Sequence, residues 1–225
     1  MEVTRHRRTE RYVGKRPHMP YWILAVDVAL LLALLAVCGG IRDAGQAVDA
    51  IYREREEAHI RILENHPRKY LNLIEEMGEE YNIKPAFLLA IVLNESSFRT
   101  TAQSNVGARG LMQVMEDTGE WVALKLGVND YNYDRLFEEE LNLRFGTWYM
   151  RYLADRFRGD PILVACAYHA GPGSTEKWLN QYSDDGLVLD IEMLQDGPTK
   201  SYAKRIFRDY AIYEQLYYTQ HDDTL

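Results

Sequence analysis

The chain has 225 residues, 47% hydrophobic, 12% aromatic and 27% charged, with 15 Gly and 7 Pro. That excludes a disordered or collagen-like polymer and leaves apolar material for one well-cored domain with residues to spare. Two cysteines exclude a disulfide-dense scaffold and a four-thiolate zinc site. The net charge of −8 is uneven: residues 1–20 carry six Lys or Arg against two Glu, so the rest is strongly acidic, and no nucleic-acid partner is expected.

Tyr21 to Ile41 reads YWILAVDVALLLALLAVCGGI, with Asp27 as its single charge. About 20 apolar residues span a bilayer core, so 21–41 is expected to be a transmembrane signal anchor. The basic flank places residues 1–20 in the cytoplasm and the remainder outside, on the periplasmic or cell-wall side. A cleavable signal peptide and a lipoprotein box at Leu35-Ala36-Val37-Cys38 are the other readings. Against the first, no clean Ala-x-Ala follows; against the second, Val37 stands where a small residue is expected.

Residues 42–66 continue with Ala44, Ala47, Val48 and Ile51 at helical spacing, then a charge run Arg53–Glu57, and stop at His66-Pro67. This is a solvated helical stem, about 35 Å long at most. From residue 67 to 225 the pattern is helix after helix. Leu71, Ile74 and Met77 carry one apolar face. Pro85 suits the first turn of a helix running to Ser97, Asp117-Thr118 and Asp160-Pro161 mark helix starts, and Thr199 is expected to cap the last long helix. Strand alternation is confined to Leu187-Val188-Leu189, so the fold class is mainly α.

Residues 85–98, PAFLLAIVLNESSF, carry the chemistry. Eight consecutive apolar residues, Ala86 to Leu93, form a helix buried nearly all round. Glu95 follows on the face of Phe87 and Ile91. A carboxyl there loses hydration, so its pKa rises. A carboxylic acid still protonated near neutral pH can protonate a glycosidic oxygen.

Ordered motifs here resemble those of the soluble-type lytic transglycosylases, relatives of goose-type lysozyme. Glu95-Ser96-Ser97-Phe98 is similar to the family's Glu-Ser-x-Phe, and Ser104 to Gln113 (SNVGARGLMQ) to its Ser-x-x-Gly-Ala-x-Gly-Leu-Met-Gln. Asn142-Leu143-Arg144-Phe145-Gly146 resembles Asn-Leu-x-x-Gly, and Ala167-Tyr168-His169-Ala170-Gly171 resembles Ala-Tyr-Asn-Ala-Gly. Thr199-Lys200-Ser201-Tyr202 is a looser match to Thr-x-x-Tyr. The resemblance covers about residues 70–215 and implies a lysozyme-like domain acting on peptidoglycan glycan strands.

It implies Glu95 as the catalytic acid, Tyr168 in contact with it, and Tyr202 lining the same cleft. Ser104, Gln113 and His169 would offer hydrogen bonds to sugar, and Met112 and Met115 a sugar face or core packing. No matched motif supplies a second carboxylate. Glu95 alone would protonate the oxygen between N-acetylmuramic acid and N-acetylglucosamine and then close a 1,6-anhydro ring. No metal and no cofactor are implied. A lysozyme-type hydrolase, with Glu116, Asp117 or Glu120 as second carboxylate, and a non-catalytic peptidoglycan-binding scaffold are the alternatives. The anchor would confine action to wall near the membrane, beside an envelope machine of unknown identity.

Three positions depart from the pattern: His169 replaces Asn, Glu116 replaces Pro, and Pro198 replaces Glu. Four other features have ordinary explanations. Cys166, one turn from His169, suits a buried core thiol better than a nucleophile. His59 and His66 lack a third ligand. Trp121, Trp148 and Trp178 are expected to be packing anchors, and Tyr210, Tyr213, Tyr217 and Tyr218 have helical spacing.

Overall fold

The computed structural model describes residues 21–219, without the side chains of 21–25 and 27. The basic segment 1–20 and the Asp27 side chain therefore lie outside the described residues. The chain divides into two compact units at Arg61/Ile62.

The first unit is the greater part of helix α1, Tyr21–Asn65. Helical structure runs through the Gly39-Gly40 pair without a break, so apolar run and charged stem are one element. It contains one stretch long and apolar enough to cross a membrane, by length and composition. Leu30, Leu32, Leu34, Leu35 and Ile41 are each more than half exposed.

The second unit holds α2 (Leu71–Tyr81), α3 (Pro85–Ser96), α4 (Glu116–Leu126), α5 (Glu139–Arg156), α6 (Pro161–Ala170), α7 (Pro172–Tyr182) and α8 (Pro198–Tyr213). Short 3-10 turns at Tyr133–Phe137 and Ile191–Met193 and a π turn at Glu214–Tyr218 fill gaps between and after them. Among the described residues there is no strand, only isolated bridges joining Arg109 to Gln103 and to Val114.

Helix α3 is the centre. Ala86 through Val92 are at most 5% exposed, because α8 covers it along one side and α2 along another. A helix apolar all round is stable only when neighbours surround it. α5 packs on α2, α4 and α6, and α6 in turn on α7 and α8.

Three local expectations are corrected. Leu187–Leu189 is not a strand: with no partner segment alongside, Leu189 alone is buried while Leu187 and Val188 stay exposed. Thr199 does not cap the last helix. Gly197 occupies that position and Pro198 opens the helix, as its fixed φ and missing N–H favour at the first turn. α4 begins at Glu116, one residue earlier than expected. There the acid faces the positive helix end, which accounts for a carboxylate where the resembled family has Pro. Asp160 does cap α6, its Oδ1 accepting from the Ile162 and Leu163 amides.

The start of the second unit is clasped by the C-terminal tyrosines. Tyr213 donates to the Pro67 carbonyl at 2.8 Å and Tyr217 to that of His66 at 3.0 Å. His66 packs edge-on against Tyr213, and its Nε2 lies 3.5 Å from the buried carboxylate of Asp209.

Candidate active site

Glu95 occupies the last turn of α3, followed by two residues in left-handed conformation, Ser97 (φ 51°) and Phe98 (φ 60°). Neither is glycine, so each costs about 1 kcal/mol or more. The burial of Phe98, 3% exposed, offsets this, since a whole aromatic ring leaves water. The kink turns the chain away directly after the acid and leaves the carboxyl at the edge of the core.

Burial dominates the acid's ionisation. It raises the Glu95 pKa from 4.5 to about 7, against the lowering effects of a Tyr202 hydrogen bond and the nearby charge of Arg205. Tyr202, 3% exposed on α8, donates its hydroxyl to Glu95 Oε1 at 2.7 Å. Here the structure corrects the expected contact: Tyr168 donates instead to the Met112 carbonyl, also at 2.7 Å. Tyr168 still lies close enough for the Glu95 charge to raise its pKa, though burial does more. Both phenols thus stay protonated and act as donors.

Residues 98–115 form the other wall, without helix or strand. One amide clamps them. Asn142, wholly buried on α5, donates from Nδ2 to the carbonyls of Arg109 and Leu136, both at 2.8 Å, and accepts the Met112 N–H at 2.7 Å. All its capacity on that side is used, as a buried amide requires. Gly110 (φ +76°) passes so close that a Cβ would strike the Asn142 amide and the Leu136 carbonyl, and a Cβ on Gly146 would strike Met112. The motif residues Gly110, Asn142 and Gly146 therefore act together to seat the loop.

The seating decides which loop residues can meet a ligand. Met112 is 0% exposed, its thioether against Gly146 and accepting from Thr147 Oγ1 at 3.8 Å. Its side chain is core, which leaves the packing role of the two open to it and removes it from the candidate sugar contacts. Ser104 Oγ accepts the Val106 and Ala108 amides, closing its own turn rather than lining the pocket. Gln113 adopts φ 50° and donates from Nε2 to the carbonyls of Ala102 and Gly110; its Oε1 has no partner among the described residues. Met115 is 42% exposed.

Gln113, Met115, Thr118, Tyr149, Tyr168 and His169 line one pocket of about 220 Å³, with Val114 and Gly171. None of these is a carboxylate. Glu116 and Asp117 are exposed at the start of α4, and Glu120 lines a different cavity, with Leu124 and Tyr131. Neither the Gln113 pocket nor a larger cavity of about 430 Å³, bounded by Ile83, Phe87 and Tyr210, has Glu95 in its lining.

His169 closes the pocket on the α8 side. Its Nδ1 lies 3.1 Å from Thr199 Oγ1, and its ring lies against that of Tyr202 with centroids 4.6 Å apart. Burial first, and then the Arg205 charge, push its pKa below 6.5, so at neutral pH it is an uncharged imidazole. Pro198 adds no polar group beside it and instead lines a cavity of about 190 Å³ with Trp178 and Lys200. Cys166 is buried at 0% exposure, with its thiol pushed up to about 11 by that burial, an environment that suppresses thiolate chemistry.

Sequence reasoning passed over Asn94 and Arg205. Arg205 Nε donates to Asn94 Oδ1 at 3.3 Å, one residue from the acid. The nearest signal was that Arg205 falls one turn after Tyr202. Trp121 and Trp148 pack edge to face, 5.1 Å apart, with Tyr149 and Tyr152 around them, as anchors.

The chain is 31% identical over 155 residues to the soluble lytic murein transglycosylase of Salmonella typhimurium, covering 68% of this chain and 24% of that protein. It is 33% identical over 147 residues to membrane-bound lytic murein transglycosylase C of Edwardsiella ictaluri, covering 59% and 40%. Among solved structures, the 70 kDa soluble lytic transglycosylase of Escherichia coli superposes with a TM-score of 0.64 at 27% identity, over 68% of this chain and 25% of that one. The chain thus spans about a quarter of the soluble relatives it matches. The model of the transglycosylase SLT domain matches residues 72–187, which run from α2 through the acid, the clamped loop and the Tyr168 helix; the chain belongs to the transglycosylase SLT domain family.

Proposed function

We propose that this chain is a membrane-anchored peptidoglycan lytic transglycosylase in which Glu95 is the single acid and base. The observation that carries the reading is a carboxyl raised to about 7 and held by a hydrogen bond from Tyr202, while Glu116 and Asp117 stand exposed at the start of α4 and Glu120 lines a separate cavity. Retaining and inverting hydrolases place two carboxyl groups about 5–10 Å apart. With one, the substrate has to provide the nucleophile.

In the proposed reaction the Glu95 proton goes to the oxygen linking N-acetylmuramic acid to N-acetylglucosamine, and the C1–O bond breaks. The muramoyl N-acetyl group stabilises the cation that develops at C1. Glu95, now a carboxylate, takes the proton of that sugar's C6 hydroxyl as its oxygen bonds to C1. The products are a 1,6-anhydro-muramoyl end and a free N-acetylglucosamine end, and Glu95 is again protonated. The closing step is intramolecular, so its effective concentration is high and no water is consumed. A pKa near 7 suits both half-reactions. Gln113 Oε1, Tyr168, His169 and Met115 would seat the sugars, with Ser104 shaping their wall.

Anchoring is supported by the apolar α1, by the basic head before it, and by similarity to a relative that is itself called membrane-bound. In this reading α1 spans the bilayer once and the acid acts outside the cytoplasm. Protease protection of tagged termini in vesicles tests that topology.

Muropeptide mass spectrometry tests the chemistry, with the full chain in detergent acting on purified peptidoglycan beside Glu95→Gln. Anhydro ends from the unsubstituted chain alone are expected. Hydrolysed ends, heavier by one water, would turn the reading to a lysozyme. No product from either would leave a binding scaffold.

A further inference from the structure

Arg205 lies one helical turn beyond Tyr202 on α8, so the two side chains share a face. It is exposed, and its charge reaches both Glu95 and His169. Among the described residues no carboxylate lies within 4 Å of it. Arg109, Arg135, Arg151, Arg156 and Arg208 each have one. Arg68, Arg99, Arg144 and Arg158 share that lack with Arg205; what sets Arg205 apart is that its charge is felt by the proposed acid and by His169.

The guanidinium is also held. Its hydrogen bond to protein runs from Nε to Asn94 Oδ1. Asn94 is fixed in turn, donating from Nδ2 to the Ala90 carbonyl at 2.9 Å and to Asp209 Oδ2 at 2.8 Å. Asp209 is 3% exposed and accepts from Arg208 through its other oxygen. A guanidinium gripped at Nε has both Nη groups unbonded in one plane, and that fork matches a carboxylate. Its orientation is set before any ligand arrives, which lowers the ordering cost of binding.

In the reaction proposed above, on which this inference rests, the muramoyl sugar carries a lactyl ether. Its carboxyl is either free or joined to a peptide that ends in carboxylates of its own. We propose that Arg205, oriented by Asn94, anchors a carboxylate on this lactyl-linked substituent and so selects the muramoyl unit at the cleft rim. One consequence reaches the chemistry. The bound anion neutralises a cation that otherwise favours ionised Glu95, so a correctly seated substrate favours the protonated acid.

The test is binding by the full-length Glu95→Gln chain in detergent, with Arg205 intact, changed to Gln, or changed to Lys. Three probes are used: peptide-bearing glycan strands, strands stripped of peptide that expose the lactyl carboxylate, and stripped strands with that carboxylate capped as an amide. Arg205→Gln is expected to weaken carboxylate-bearing probes roughly tenfold, Arg205→Lys less, and the capped probe less than about twofold. Loss on stripped strands assigns the lactyl carboxylate; loss confined to peptide-bearing strands assigns the peptide's. Equal loss on capped and uncapped probes, no loss on any, or no binding with Arg205 intact overturns the inference. Anhydro products from the chain with Glu95 intact are scored separately, so failure of the transglycosylase reading shows as absent product and not as a changed binding contrast.

Discussion

Replacing Glu95 with Gln removes a titration that works against the fold. The carboxyl titrates at about 7 in the folded chain and near 4.5 in an unfolded one, so between those values the native state binds more protons. The Glu95 contribution to stability is then greatest below about pH 4.5, falls as pH rises to 7, and levels off above it. At about 1.4 kcal/mol per pKa unit, the whole fall is about 3 kcal/mol, an upper bound because the carboxyl keeps some contact with water. Gln retains the oxygen that accepts from Tyr202 and never ionises. Glu95→Gln is therefore expected to be inactive yet more stable than the parent at about pH 8, with the gain shrinking to nothing near pH 4.5. Urea unfolding of both full-length chains in detergent, followed by tryptophan fluorescence across that range, measures the difference. The two chains share every other titrating group, so subtracting one curve from the other isolates Glu95. A difference that does not change with pH would mean an ordinary carboxylate, and the account of a buried, protonated acid would fail.

Other perturbations read the rest of the site. Tyr202→Phe deletes the donor that favours ionised Glu95, so the alkaline limb of the activity profile should move up by about one pH unit while the maximal rate falls; an unmoved limb would assign Tyr202 to packing. Gly146→Ala pushes a methyl group into Met112 and should cost about 1–3 kcal/mol in urea unfolding, with activity lost beyond the loss of folded protein because the Gln113 loop is displaced. Asn142→Ala strands the Met112 N–H and two carbonyls, for a loss of about 3 kcal/mol or more, read as a fall in melting temperature. Asp160→Ala removes the α6 cap far from Glu95 and should cost about 1 kcal/mol without moving the pH profile.

Much of this arrangement was legible in the residues because it is local. Eight apolar residues running into Glu95 announce a buried helix with an acid at its end, and the Asp160-Pro161 cap reads directly. What was not legible depends on direction and on distant contacts. Whether Tyr168 or Tyr202 reaches Glu95 depends on how α6 and α8 cross α3, and no spacing within either helix encodes that. Met112 and Met115 are three residues apart with the same chemistry, yet Asn142 pulls the backbone at Met112 inward and leaves Met115 at the surface. An asparagine between Leu141 and Leu143 is a hint of a buried polar clamp; its partners, Arg109 and Leu136, are not. Thr199 was a plausible cap, and Gly197-Pro198 directly before it is the stronger signal. Arg205 gave no signal beyond its place one turn after Tyr202, since exposed arginines on helices are common and its significance lies in Glu95 and Asn94 on another helix.

The bond from Tyr202 to Glu95 joins residues 107 positions apart, and α8, which brings Tyr202 and Arg205, lies close to the C-terminal end of the second unit. A chain interrupted anywhere before that helix has Glu95 beside water, with neither the burial that raises its pKa nor the phenol that aims it. In a cell whose own wall is the proposed target, a chain not yet folded through α8 would then lack the tuned acid that cuts it. In the proposed reaction the Glu95 carboxyl would become an acid of useful strength only once α8 is made and docked, so completion of this unit would serve as a safety catch.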